Sequence, residues 1–506
     1  MNARNNLKIQ PSMKSALFYS FFLISANLLA QANVDWYNYP GGVALATNLN
    51  YDVYTVNWDY NPAGDITLTK RDSSGTILWD TAFDNTDNTR HEVATWVDTD
   101  NDGNVLVSGT IRSGFSNPVD AASLLMKFDS SGALLWRVVY ENSFDGSSTK
   151  KVLVDANNNI YVLGLGIGPL GMVTKVKKFD AFGTPVWSYF DTAGTGAPLN
   201  IKFTPDNNIL IICRGVTGTV NGFSKIDLNG NTIWSIAGIN SSSIGDAAGD
   251  ASGNTYLING EYVISNSGSV LQKLSPGGSL IWADTNSITA FRVEVGNDNN
   301  PVICGFPNSG TPGAAFIKYN SAGNVLWQNL DADGPGYALL LHAQMRMDID
   351  NAAYLAAGTL SQMALCKVNS NGVSEWTLAI PGSYSNAFDF QTEDVIYLVG
   401  GTTAKISQTT TTSIAQTAYN DINNNFHFFP NPFLSNTTLE FELSRKINVS
   451  ISILDILGKT VKNISTSKFE SGINRVAIDL SELKPDIYFC LIKTDTDVQI
   501  AKLLKR

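Results

Sequence analysis

Three acidic residues at alternate positions of one short segment are the first candidates for chemistry in this sequence. The segment DTDNDGN places Asp98, Asp100 and Asp102 ahead of a glycine, as in the first half of a calcium-binding loop. An EF-hand loop also needs a bidentate acid at its twelfth position, where this chain has Gly109. Similar segments recur at 155–159 and 250–254, which favours an ordinary solvated turn. Asp98, Asp100 and Asp102 are therefore the only candidate calcium ligands in this sequence.

The other metal-ligating and nucleophilic residue types do not form a recognisable constellation. The three histidines are far apart in the chain, and the four cysteines have no C-x-x-C spacing. We therefore expect no disulfide framework and no zinc site, and we expect the cysteines to be small buried hydrophobic residues. No catalytic residue and no cofactor-binding residue can be assigned from the sequence.

Two long, irregular segments, 57–65 and 330–342, carry aromatic residues beside acidic ones. A ring can stack on the face of a sugar, and a carboxylate can accept hydrogen bonds from its hydroxyls. In one alternative the rings pack over the edge of the fold. In another, Asp331 or Asp333 is the acid or base of a polysaccharide lyase or hydrolase. The candidate ligand face consists of Trp58, Tyr60, Asp331, Asp333 and Tyr337.

A ten-residue phrase, KFDSSGALLW at 127–136, occurs in seven related copies and indicates how these segments are positioned. Each copy has Lys nine residues and Gly four residues before its Trp, and successive copies are 45 to 57 residues apart. The phrase predicts a β-hairpin whose glycine adopts a positive φ. The repeated lysines could form a ring of positive charge, but pairing of each with the Asp or Asn two residues later is favoured. The repeated tryptophans are Trp79, Trp136, Trp187, Trp234, Trp282, Trp327 and Trp376.

Each repeat contains four strand-like segments, which predicts an all-β fold built from propeller blades. The segment 394–407 supplies strands without a following tryptophan, and the segment around Trp36 supplies a tryptophan strand with nothing before it. Pairing these two ends would close an eight-bladed β-propeller over 33–407 and remove exposed sheet edges. Seven blades are the alternative. The D-x-x-G-x-x-x-W phrase resembles the repeats of quinoprotein-like and bacterial secreted β-propellers. Quinoprotein dehydrogenases also need a quinone site with calcium ligands and, often, adjacent cysteines, and no such cysteines exist here.

The N-terminus predicts a signal peptide over 1–32. Lys14 precedes an apolar stretch at 16–30, and Ala30 and Ala32 form a small-x-small cleavage site. The stretch is shorter than the roughly 20 residues of a spanning helix, and no later segment is apolar enough to cross a membrane. Translation could begin at Met1 or at Met13. Hydrophobic residues make up 43% of the 506 and the net charge is −11, which favours a packed core and argues against a nucleic-acid partner.

A polar linker at 408–425 leads to a C-terminal segment, 426–506, that alternates polar and apolar residues as a small Ig-like β-sandwich does. This segment resembles the type A C-terminal sorting domain of the type IX secretion system of Gram-negative bacteria. The resemblance implies the type IX machinery as a partner and passage through the periplasm to the outer cell surface or the medium. One departure is Asp486, where the family usually has glycine. The matching residues are Pro430, Asn431, Pro432, Asp455, Gly458, Lys459, Gly472, Ile487 and Tyr488.

The functional hypothesis that combines these features is a secreted or cell-surface β-propeller that binds a glycan or a surface protein. A repeated scaffold with one variable face and no catalytic constellation favours binding over catalysis. The alternatives are an extracellular polysaccharide-degrading enzyme and a structural adhesion component.

Overall fold

The structure of the protein is a computed structural model. It describes residues 31–48, 52–58, 65–83, 90–112, 121–143, 148–168, 171–191, 197–214, 222–237, 245–259, 269–307, 313–332, 343–359, 361–383, 385–392, 394–409, 422–443, 446–455, 460–494 and 498–505. The chain divides into two compact units, Met1–Thr411 and Thr412–Arg506. Within the described ranges, no helix is long and apolar enough to cross a membrane.

The first unit contains only β-strands in its described residues. In chain order they are β1 (Gln31–Asn38), β2 (Ala44–Thr47), β3 (Val53–Trp58), β4 (Ile66–Arg71), β5 (Ile77–Phe83), β6 (His91–Thr99), β7 (Val105–Arg112), β8 (Ala121–Phe128), β9 (Leu134–Ser143), β10 (Ser148–Val154), β11 (Ile160–Gly168), β12 (Gly171–Phe179), β13 (Pro185–Phe190), β14 (Ala197–Phe203), β15 (Asn208–Arg214), β16 (Gly222–Asp227), β17 (Thr232–Ala237), β18 (Gly245–Gly249), β19 (Thr255–Asn259), β20 (Val270–Leu274), β21 (Leu280–Thr285), β22 (Ile288–Val295), β23 (Pro301–Pro307), β24 (Ala314–Tyr319), β25 (Val325–Ala332), β26 (Gln344–Met347), β27 (Ala353–Gly358), β28 (Gln362–Val368), β29 (Ser374–Pro381), β30 (Ser385–Thr392), β31 (Val395–Gly400) and β32 (Thr403–Thr409).

These strands form eight four-stranded antiparallel sheets, and each sheet is one blade. Seven blades use four consecutive strands, beginning with β2–β5 and ending with β26–β29. The eighth blade has the order β1-β32-β31-β30, so the N-terminal strand completes the last sheet, with Trp36 opposite Lys405. The prediction of an all-β, eight-bladed propeller is confirmed, and the seven-blade alternative is wrong because β1 pairs as the missing fourth strand.

The eighth blade lies against the first through side-chain hydrogen bonds from its innermost strand, β30, to the residues that flank β2. Asn386 Nδ2 donates to the carbonyl oxygen of Gly42 at 2.9 Å, and Gln391 Nε2 donates to that of Asn48 at 2.7 Å. The blade that combines the two chain ends is therefore held to its neighbour by contacts more than 340 residues apart in sequence.

The repeated glycine fixes the contact between neighbouring blades. All seven glycines have φ between 82° and 90°, a region that is open to glycine and costly for other residues. Each one also lies on the tryptophan of the preceding blade. A Cβ added at Gly278 would come within 2.6 Å of the Trp234 ring, and one at Gly75 within 2.7 Å of the Trp36 ring. The repeated phrase is therefore an architectural unit.

Most of the repeated lysines form charge pairs, but with partners other than those predicted; Lys178 instead donates to the carbonyl oxygen of Leu228. Lys127 Nζ lies 2.7 Å from Asp100 Oδ2 and donates to the carbonyl oxygen of Ala181 in the next blade at 3.2 Å. The residue two positions after it, Asp129, instead accepts backbone N–H groups of its own turn. Because the Asp129 carboxylate accepts hydrogen bonds from backbone N–H groups of its own turn, the lysine pairs with an aspartate of another turn. Lys70, Lys225 and Lys318 pair in the same way with Asp52, Asp206 and Asp298.

The second unit is a two-sheet sandwich. Its strands are β33 (Ile422–Phe429), β34 (Asn436–Leu443), β35 (Ile447–Leu454), β36 (Thr460–Phe469), β37 (Gly472–Asp479), β38 (Ile487–Lys493) and β39 (Val498–Leu504). One sheet has the order β33-β34-β37 and the other β36-β35-β38-β39. Alternate residues of β34 and β35 are buried between the sheets, including Leu439, Phe441, Val449 and Ile451, as the period-two pattern predicts.

The Pro-Asn-Pro segment joins the beginning of this sandwich to its last strand. Asn431 Nδ2 donates to the carbonyl oxygen of Lys502 at 2.9 Å, and Asn431 Oδ1 accepts the N–H of Leu504 at 2.9 Å. Asp486 is not among the residues with positive φ, so its replacement of a glycine needs no strained backbone. Tyr488 is buried and its hydroxyl donates to the carbonyl oxygen of Lys484.

Candidate ligand site in the central channel

The innermost strands of all eight blades surround a central cavity of about 780 Å³. They are β2, β6, β10, β14, β18, β22, β26 and β30. Each inner strand has one neighbour in its own blade, so its free edge and alternate side chains face the axis. The cavity volume is within the range of small-molecule binding sites.

Several inner strands carry β-bulges at residues that line the channel. The pairing of β10 with β11 shifts register between Thr149 and Lys151, and two adjacent residues at this point, Lys150 and Lys151, both line the cavity. Regular strands direct neighbouring side chains to opposite faces, and a bulge removes that constraint. The inner strands β6, β14, β22 and β30 show comparable register shifts.

The channel is lined by charged and amide side chains. Its five cations outnumber its four carboxylates, although the whole chain has a net charge of −11. This local excess of positive charge makes the channel electrostatically distinct from the rest of the protein. The cations are Lys150, Lys151, Lys202, Arg292 and Arg346, and the carboxylates are Asp98, Asp246, Glu294 and Asp389.

One side of the channel contains a compact ion-pair network. Lys202 Nζ lies 2.8 Å from Glu294 Oε1 and 3.1 Å from the Asp246 carboxylate, which joins blades four, five and six. Burial disfavours the charged ammonium, but the two carboxylates outweigh burial and raise the pKa of Lys202. Burial likewise raises the pKa of Glu294, and Lys202 opposes that effect. The charges of Lys202, Asp246 and Glu294 are therefore paired with one another.

The neighbouring part of the channel, on the second and third blades, contains ionisable groups with few partners. Lys151 Nζ donates to Asn200 Oδ1 at 2.9 Å and lies 5.0 Å from the centre of the Trp96 ring. Burial, together with the positive charges of Arg346 and Lys202, lowers the pKa of Lys151 to about 7. Burial raises the pKa of Asp98 to about 7 as well. Two groups that titrate near neutral pH therefore face the same cavity.

Further polar groups line the cavity on fixed supports. Arg292 Nε donates to the carbonyl oxygen of Ala343 at 2.7 Å, which holds the guanidinium against the wall. Gln344 Nε2 donates to the carbonyl oxygen of Asn386 at 2.8 Å. The arrangement can hydrogen-bond a polar ligand and present the indole of Trp96 to it.

The structure separates the three aspartates of the candidate calcium loop. Asp98 lines the channel, whereas Asp100 accepts the N–H groups of Asp102 and Asn104 and pairs with Lys127. Asp102 accepts a hydrogen bond from a side chain of the next blade. In the described part of the chain, no three His, Cys, Asp or Glu residues are grouped so as to hold a metal ion. The three aspartates are therefore not brought together.

The candidate ligand face is placed only in part. Trp58 is the last residue of β3 and packs, partly buried, against the core cluster of the first two blades. Asp331 lies in β25. Tyr60, Asp333 and Tyr337 lie outside the described residues, as do Ala30 of the cleavage site and Gly458 of the sorting segment. Ala32 lies in β1, opposite Gln408, and Gly472 begins β37 with φ of 92°.

The cysteines are all buried and free, as expected for small hydrophobic residues. The channel residues, in contrast, were not predicted from the sequence. Their one visible signal is the pair of adjacent lysines at 150–151 in a strand where the pattern calls for alternation. Only the ring of blades brings these residues to the charged groups of the other inner strands.

Residues 427–506 match the family model described as the secretion system C-terminal sorting domain. The C-terminal unit belongs to that family, and the protein is a β-propeller protein sorted by the type IX secretion system. Such a domain directs secretion to the cell surface or the extracellular space of Bacteroidetes-type bacteria. No curated protein matches the chain.

Several solved structures show remote similarity. The β-propeller domain of the Trilobed protease from Pyrococcus furiosus is 12% identical, with 61% of this chain and 88% of that chain covered and a TM-score of 0.39. A protein of unknown function from Bacteroides caccae is 11% identical, with 62% and 90% covered and a TM-score of 0.32. PorZ, a surface component of the type IX secretion system of Porphyromonas gingivalis, is 9% identical, with 92% and 81% covered and a TM-score of 0.27.

Proposed function

We propose that this secreted propeller is an extracellular binding module that takes a glycan in its central channel. The observation that carries the proposal is the cavity of about 780 Å³ lined by polar side chains and by the indole of Trp96. Amide and carboxylate groups can satisfy sugar hydroxyls, and an indole can cover an apolar sugar face. The charged lining disfavours an apolar ligand, because such a ligand would leave these groups desolvated and unpaired.

A glycan array followed by calorimetry on the secreted full-length protein tests the proposal. Trp96 and Trp58 form a matched pair, because both are partly buried and both pack against the same core cluster, but only Trp96 lines the channel. We expect Trp96→Leu to weaken glycan binding about tenfold or more, and Trp58→Leu to leave it unchanged. Loss of binding in Trp58→Leu alone would place the ligand on the loop face instead.

An enzyme acting on a polysaccharide is a second candidate, which Asp98 and Lys151 favour. Both have a pKa of about 7 and face one cavity, the condition for a general acid or base at neutral pH. Turnover of a polysaccharide by the secreted protein, followed by the appearance of new chain ends, would support catalysis. Saturable binding with no new chain ends would support the binding module.

A further inference from the structure

We infer that the glycan is anionic and that its acidic group binds at Lys150 and Lys151, between the third and fourth blades. This inference rests on the proposed function and specifies the class of sugar, one that carries a carboxylate or a sulfate. The argument depends on which charges in the channel already have partners.

Most carboxylates of the channel are paired with cations of the channel. Asp246 and Glu294 both lie within 3.1 Å of Lys202 Nζ. Asp389 lies 3.4 Å from Arg346 Nη1 and also accepts the Thr47 hydroxyl. Since these groups satisfy one another, they contribute little attraction to an incoming charged ligand.

The remaining cations have no carboxylate partner within 4 Å among the described residues. Lys151 Nζ is bonded to an amide oxygen, and Arg292 donates to two backbone carbonyl oxygens. Lys150 lines the same cavity and is exposed to solvent. Asp98 is the only channel carboxylate of the described part that is not ion-paired. Three cations against one carboxylate leave an excess of positive charge.

Strand β10 supplies two of these three cations. Lys150 and Lys151 lie beside its bulge and line the same cavity, with Asn200 beside Lys151 as a further polar group. Both side chains line the same cavity, and a carboxylate or a sulfate has at least two oxygens that can accept their hydrogen bonds. Charge-assisted hydrogen bonds of this kind are stronger than neutral ones.

The electrostatic state of the two lysines supports the same conclusion. Although Lys150 is exposed, partial desolvation by the surrounding channel wall lowers its pKa, with Arg292 adding to the effect, and burial lowers the pKa of Lys151 to about 7. A bound anion would oppose both causes, because it replaces lost solvation and offsets the nearby positive charges. The site is therefore favourable for an anion and unfavourable for a second cation.

Calorimetry with three trisaccharides tests this inference on the secreted full-length protein. The probes are trigalacturonate, a sulfated galactotriose and neutral galactotriose, and the variants are Lys150→Met, Lys151→Met and, as a control, Arg137→Gln on an exposed outer strand. We expect an acidic trisaccharide to bind at least tenfold more tightly than the neutral one. We expect each channel variant to remove most of that difference, with Arg137→Gln unchanged. Thermal unfolding of each variant verifies that it is folded.

The outcomes separate the inference from the proposed function. Tighter binding of trigalacturonate alone identifies a carboxylate, and tighter binding of the sulfated probe alone identifies a sulfate; both support the inference. Equal binding of all three probes with no effect of either lysine variant would overturn it and leave glycan binding intact. If none of these probes and no glycan of the array binds, the proposed function fails together with the inference.

Discussion

Lys151 Nζ donates to the amide oxygen of Asn200 over 2.9 Å, which links the inner strands of the third and fourth blades inside the channel. The amide oxygen carries no net charge, so it accepts this hydrogen bond without neutralising the ammonium when Lys151 is protonated. The same lysine lies over the Trp96 ring, a contact that depends on its positive charge. The protonation state of Lys151 therefore controls the electrostatics of this side of the site.

Binding of an acidic trisaccharide should weaken as pH rises through 7. Lys151 has a pKa of about 7, so it is charged at pH 6 and largely neutral at pH 8; Asp98, also with a pKa of about 7, gains its negative charge over the same interval. Both changes disfavour an anion, and loss of one required proton corresponds to about a tenfold weaker affinity at pH 8 than at pH 6. Calorimetry at both values measures this ratio. A similar ratio in Lys151→Met would show that another group is responsible.

The same two groups should give opposite pH dependences of stability. Asp98 has a folded pKa above its unfolded value, so the folded protein holds the extra proton and stability falls as pH rises from about 4 to 7. Lys151 has a folded pKa below its unfolded value, so stability rises from about pH 7 to 10. We expect Asp98→Asn to be relatively more stable at pH 8 than at pH 5, by roughly 2 kcal/mol, since both side chains are partly exposed. Urea unfolding at the two values, with Lys151→Met as the variant for the alkaline interval, tests both signs.

Gly278 and Gly277 provide a direct test of the contact between blades. Gly278 has φ of 84° and its added Cβ would come within 2.6 Å of Trp234, whereas an added Cβ at Gly277 meets no atom within 4 Å. We expect Gly278→Ala to lower the free energy of unfolding by roughly 2 kcal/mol and Gly277→Ala to change it by less than about 0.5 kcal/mol. Unfolding monitored by tryptophan fluorescence reports both. Equal effects would contradict a cost from the positive φ of Gly278 and its contact with the Trp234 ring.

The repeated phrase made most of this fold predictable, because duplication records the same contact seven times. The lysine, glycine and tryptophan of each copy indicate a hairpin, and Trp36 without a preceding hairpin indicates that the first strand belongs to the last blade. The partner of each lysine was not predictable. Lys127 reaches Asp100 on a different turn of its own blade, and this proximity depends on strand register and on the seating of the next blade.

The channel could not be predicted for a related reason. Lys151, Lys202 and Arg346 are separated by 51 and 144 residues in sequence, and they meet only because successive inner strands surround one axis. The β-bulge at Lys150 also cannot be recognised from a pattern of alternating polar and apolar residues. Trp58, which the loop pattern favoured, instead packs against the core at the end of β3.

Lys127 should stabilise the propeller more than an exposed cation does. Its ammonium lies 2.7 Å from Asp100, and both side chains are almost fully buried. In Lys127→Met the Asp100 carboxylate loses its ion-pair partner, so we expect the free energy of unfolding to fall by roughly 3 kcal/mol. Arg137→Met, on the exposed strand β9, should change it by less than about 1 kcal/mol. Urea unfolding followed by tryptophan fluorescence compares the two, and similar small effects would contradict a stabilising role for the repeated lysine.

Deletion of residues 426–506 should leave the propeller in the periplasm. The sorting unit has its own core of buried residues, and its Pro-Asn-Pro segment is bonded to its last strand through Asn431. We therefore expect the surface that the secretion machinery recognises to depend on the intact sandwich. Removing the unit removes this sorting signal, while the propeller keeps its own eight sheets. Cell fractionation with an antibody against the propeller measures the distribution. The reciprocal control is a periplasmic reporter protein fused to residues 412–506, which should reach the cell surface or the medium. Surface delivery of the truncated propeller would show that its sorting does not depend on this unit.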